Sequence, residues 1–207
     1  MRRRLLAVMA AATIALTGCG GNDDDASTVT EPDAMNHGET SDGGEAGPEV
    51  AADVAAIRAG TATYVDDVEA ALDDGYFVIT QHIEDMGSHV LNPEIEGFDI
   101  GRPPILVYGD DGEDAVLAAV EWVFPEEPDT PPIEGATYGA FPAACHYEDG
   151  LFVPEEDEDG CSERHAESDA SFTFWHPDLV TLHVWAWLQN PDGIFNGTNP
   201  LMSVYNE

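Results

Sequence analysis

The sequence predicts an α+β fold: an N-terminal amphipathic helix packed on an antiparallel β-sheet, in a single loop-rich domain. Three observations predict it. Apolar residues recur at helical spacing between Val54 and Leu72, short strand-like runs bounded by turn residues follow, and no repeat of about 20 to 50 residues is present.

In the helical stretch, Val54, Ile57, Tyr64, Val65, Val68 and Leu72 form one stripe. Asp66, Asp67, Glu69, Asp73 and Asp74 lie largely off it, Gly75 is the stop, and a break is expected near Gly60. The stripe is core and carries no chemistry. Beyond Gly75 the chain reads as short strands between long, proline-punctuated loops. Ile105 to Tyr108, the turn Gly109-Asp110-Asp111-Gly112 and Ala115 to Phe124 form a β-hairpin, closed by Pro125. Val180 to Leu188 is a further strand, with Ser171 to Trp175 a candidate before it.

Charge limits the partners. The 207 residues carry 42 Asp and Glu against 6 Lys and Arg, a formal net charge of −36, and every one of those six cations is arginine. Phosphate binding needs a basic surface, so nucleic acid is excluded as a partner. The acids are spread along the chain, and such self-repulsion is tolerable where salt screens it, since the Debye length falls to about 3 Å at molar salt. The composition therefore reads as that of a halophile.

Residues 1–18 read as an export leader. Arg2, Arg3 and Arg4 form a positive segment, Leu5 to Leu16 is apolar and too short to span a bilayer, and Leu16-Thr17-Gly18-Cys19 closes it. This last tetrad resembles the lipobox of prokaryotic lipoproteins, which implies cleavage before Cys19 and a lipid on its sulfur, anchoring the chain to the outer face of the cytoplasmic membrane. The arginines fit either a twin-arginine signal or an ordinary positive segment written in arginine. Residues 19–50 read as an acidic disordered tether and 51–207 as the globular domain.

Two polar residues interrupt apolar strands. Glu121 stands alone in the run from Val116 to Phe124, and His183 alternates with Trp185 and Trp187 in the last strand. Buried, each needs a hydrogen bond or a metal; at a sheet edge, Glu121 would simply face water. His89 follows Gly87 in Met86-Gly87-Ser88-His89-Val90-Leu91-Asn92-Pro93, on what reads as a glycine-shaped loop able to close over them. His89, Glu121 and His183 are thus predicted to converge in one partly buried pocket floored by Trp185 or Trp187. With His176 and Asn92 as auxiliaries they would form a metal site suited to Zn, Cu or Fe. The alternative is a non-catalytic surface module in which Trp122, Trp175, Trp185 and Trp187 pack a core or line a cleft for sugars or similar ligands.

The Met86-Gly87-x-His89-x-x-Asn92-Pro93 segment, with Leu182-His183-Val184-Trp185-x-Trp187-x-x-Asn190-Pro191-x-Gly193-x-Phe195-x-x-x-Asn199-Pro200, resembles a family of uncharacterised exported prokaryotic proteins. The resemblance implies one domain and no particular reaction. With Cys19 lipidated, Cys145 and Cys161 remain as an even pair in an oxidising compartment, which favours a disulfide over a zinc site with His146 and His165. Glu155 to Gly160 imitates the start of a calcium loop, but Ala166 stands where its final carboxylate should be. No P-loop, nucleophile elbow, dinucleotide fingerprint or H-E-x-x-H occurs, so serine hydrolase, nucleotide and zincin readings have no anchor.

Overall fold

The computed structural model describes residues 36–37, 47–110 and 115–205. The expected leader and Cys19 lie outside them. Among the described residues, no helix is long and apolar enough to cross a membrane.

The chain is mostly β, which corrects the α+β expectation. Its elements, in order, are β1 (Asn36–His37), α1 (Pro48–Thr61), a 3-10 turn (Ala62–Tyr64), α2 (Val68–Asp73), β2 (Phe77–Ile83), β3 (Gly87–Leu91), β4 (Ile105–Tyr108) and β5 (Leu117–Phe124). There follow β6 (Gly139–Phe141), β7 (Ala144–Tyr147), β8 (Phe152–Pro154), β9 (Phe172–His176) and β10 (Leu179–Val184). One sheet has the order β1-β6-β10-β5-β4-β3-β2, is antiparallel throughout and curls into a half-barrel; the other has the order β8-β7-β9.

The helical contribution shrinks for a local reason. Pro48 at the first turn, Glu49 beside it and Arg58 in the last turn suit α1. Its run then tightens and breaks before Asp67, whose carboxylate accepts from Ala70 N at 3.0 Å and starts a separate short helix. Gly75, at φ +95°, ends it. Asn36–His37 and the start of α1 both fall within the stretch read as a tether.

The predicted hairpin forms as β4 and β5. Its Leu106, Val120 and Trp122 turn to one face of the curled sheet, where Leu182, Val184, Ile57 and Val50 join them in the main core. Ile105, Val107 and Ala119 turn to the other, with Ile79, Trp185 and Met202. The second sheet docks at the β2 edge: Gln81 N donates to Gly150 O at 2.9 Å, and the Phe77 and Phe174 rings meet edge to face at 6.0 Å. Cys145 on β7 and Cys161 are joined by a disulfide with Cα atoms 5.7 Å apart.

Candidate functional site

Glu121 lies in a central strand, between β4 and β10, not at an edge, and it is 1% exposed. Its cross-strand partners are Ile105 on β4 and His183 on β10, while His89 on β3 faces Val107. Directly opposed residues share a face, as do residues two apart on one strand, so all three polar side chains project from the face that carries Ile105, Val107 and Ala119. The curl then overcomes the intervening strand. His89 Nε2 stands 3.7 Å from Glu121 Oε2, and the His89 and His183 ring centroids are 6.2 Å apart.

The cluster is sealed. His89 and His183 are 0% and 1% exposed, and the Trp185 ring lies 4.8 Å from that of His183. Behind His89, Thr80 Oγ1 accepts the His89 backbone N–H at 3.0 Å and meets Nδ1 at 2.9 Å. Burial pushes the Glu121 carboxyl up to about 8, with the Thr181 hydroxyl pulling weakly the other way. The acid is therefore neutral at neutral pH, and the 3.7 Å contact is longer than a hydrogen bond.

His89 was expected on a loop and sits instead within β3. Gly87 is what admits the strand: at φ +109°, with a Cβ that would lie 2.2 Å from Tyr108 O, no other residue fits there. Of the proposed auxiliaries, His176 stands in the second sheet against Phe141. Asn92 is committed to the backbone, donating to Asp74 O at 2.9 Å and accepting from Glu94 N at 3.0 Å. Among the described residues, no three His, Cys, Asp or Glu side chains are arranged to hold a metal ion. His89, Glu121 and His183 form a buried polar cluster without the common focus that coordination at about 2.0–2.2 Å requires.

The tryptophans pack or tie down loops. Trp122 is fully buried against Phe98, Trp175 Nε1 donates to Glu155 O, and Trp187 Nε1 donates to Thr61 Oγ1. A cleft does exist, and tyrosines line it. It encloses about 290 Å³ between Thr61, Tyr64, Asp74, Tyr76, Asn92 and Arg102. The two tyrosine rings meet edge to face at 5.7 Å; Tyr64 Oη donates to Asp74 Oδ2 at 2.7 Å and Tyr76 Oη to Pro103 O at 2.8 Å. Its shape depends on the close approach of the end of α1 to the Gly101 loop, for a Cβ on Gly60 would meet Gly101 O at 2.0 Å. Sequence reasoning missed this site because its residues come from four separate segments, around Tyr64, Tyr76, Asn92 and Arg102, which no local pattern brings together.

No protein-family model, curated protein or solved structure matches this chain.

Proposed function

We propose that this chain is an exported, lipid-anchored binding module of a high-salt environment, non-catalytic, which takes a small hydroxylated, sugar-like ligand in the Tyr64–Tyr76–Arg102 cleft. The observation that carries the reading is the cleft itself. Its volume of about 290 Å³ suits a compact solute, and two aromatic rings beside carboxylate, amide and guanidinium groups offer both the apolar face and the polar contacts that a sugar needs. The lining is preorganised, because Tyr64, Tyr76 and Asn92 are already fixed by hydrogen bonds, so ligand binding costs little side-chain ordering. Arg102 is exposed at its rim, one of three arginines beyond the leader.

Thermal unfolding of the full chain in molar salt, with a panel of neutral sugars and sugar acids, tests this. A ligand should raise the melting temperature, and Arg102→Gln should remove that rise without moving the unliganded midpoint. A panel without effect, or equal stabilisation of the variant, rejects the cleft as the site. The anchor has its own test: Cys19→Ser should release the chain from membranes, and unchanged retention rejects lipidation.

A further inference from the structure

The geometry points to a separate site for a soft monovalent metal ion, Cu(I) or its analogue Ag(I), held by His146, His176 and the Met86 thioether. His146 on β7 and His176 on the adjacent β9 are diagonal neighbours, opposite Phe174 and Ala144 respectively, with ring centroids 5.1 Å apart, and are 1% and 8% exposed. Each ring is fixed by a backbone carbonyl: His146 Nδ1 lies 2.9 Å from Ile79 O and His176 Nδ1 2.7 Å from Pro177 O. A carbonyl only accepts, so Nδ1 is the protonated nitrogen in both rings and Nε2 carries the lone pair. Both Nε2 atoms are buried without a hydrogen-bond partner among the described residues. Two buried acceptors with nothing to accept are costly in a purely structural pair. They are also the state in which imidazole binds a metal, with the other nitrogen oriented by a carbonyl.

The surroundings select the ion. Met86, 1% exposed, packs with Phe141 and Phe152; Phe141 also touches both imidazoles, at 5.8 Å from His146 and 4.5 Å from His176, and Phe152 stacks on His146 at 5.7 Å. A thioether and two neutral imidazoles inside an aromatic box favour a soft ion of low charge over a strongly hydrated divalent one. Burial holds both imidazoles below their usual basicity, so protons do not compete for the nitrogens near neutrality. On the solvent side, Asp178 adds a favourable potential for a cation at His176.

Silver(I) is the probe, because it needs no reductant that would endanger the Cys145–Cys161 bridge. The full chain, carrying Cys19→Ser so that this thiol does not capture silver, is titrated in molar sodium nitrate instead of chloride, which would precipitate the metal. The ¹⁵N resonances of His146 and His176 Nε2 should both move on addition of one equivalent. Affinity should drop in Met86→Leu and in His176→Phe by more than the about 10- to 100-fold that loss of an outer-shell partner costs. The NMR readout in the parent chain needs no variant to fold. Unmoved ring nitrogens at one equivalent, or parent-like affinity in both variants, overturns the site.

Discussion

His89 Nε2 and Glu121 Oε2 stand 3.7 Å apart inside the curled sheet, each side chain all but closed to water, although the strand that carries Val107 and Ile105 separates their own strands. A carboxyl held there remains protonated to about pH 8, because ionising it would place a charge in a desolvated cavity.

That proton makes folding stability depend on pH in a defined window. Between about pH 4.5 and 8 the folded chain keeps the Glu121 proton and the unfolded chain loses it, so stability falls as pH rises, by at most about 1.4 kcal/mol per unit. Glu121→Gln should abolish the alkaline decline. Urea unfolding in molar salt from pH 6.5 to 8 measures it, and equal slopes in both proteins would show that Glu121 is not the group.

His146 contributes the opposite limb. Burial lowers its imidazole to about 4, so between about pH 6.5 and 4 only the unfolded chain takes up that proton and stability falls as pH drops. Across about pH 4.5 to 6.5 this slope opposes that of Glu121, and His176, also lowered by burial, adds to it. His146→Phe keeps a ring against Phe174, where the native stack is 4.5 Å between centroids, and should flatten the acid limb. The same titration carried down to pH 4 reads it.

The disulfide closes a loop with a sequence separation of 16 between Cys145 and Cys161, worth about 3 kcal/mol on the chain-entropy model. Replacing both cysteines by serine should lower stability by about that amount. A denaturation midpoint unchanged by the double substitution would overturn the chain-entropy account.

Gly87→Ala should cost about 3 kcal/mol or more, since it combines a forbidden φ with a Cβ 2.2 Å from Tyr108 O. Damage should centre on the β3–β4 pairing that positions His89. Loss of hydrogen-exchange protection at Val90 and Leu106 beyond that of the other strands would identify it.

Salt should stabilise the folded domain. With a net charge of −36, lowering ionic strength from molar to millimolar lengthens the screening distance from about 3 Å toward 30 Å and beyond. The melting temperature should fall steeply over that range; a flat response would contradict adaptation to brine.

The strands that the sequence made legible are those with a local signature. The β4–β5 hairpin has an apolar run on each side of a Gly-Asp-Asp-Gly sequence, and β10 has clean alternation. By contrast, β2, β3, β6, β7 and β8 are short or carry glycine, histidine, threonine and proline, and they are strands because neighbours supply their hydrogen bonds. Counting them as loops is what made the single helical stripe look like half of the architecture.

The sequence by itself determined the acidic composition, the β4–β5 hairpin and the fact that Glu121 and His183 interrupt apolar strands, since these follow from composition and local periodicity. Only the tertiary structure decided that the fold is mostly β and that His89 is a strand residue reaching Glu121 over β4. It also decided that a cleft forms from Tyr64, Tyr76 and Arg102, and that His146 meets His176. Each of those depends on sheet order and curl, which bring together residues far apart in the chain, and no local pattern encodes a contact between segments whose register is set by the strands between them.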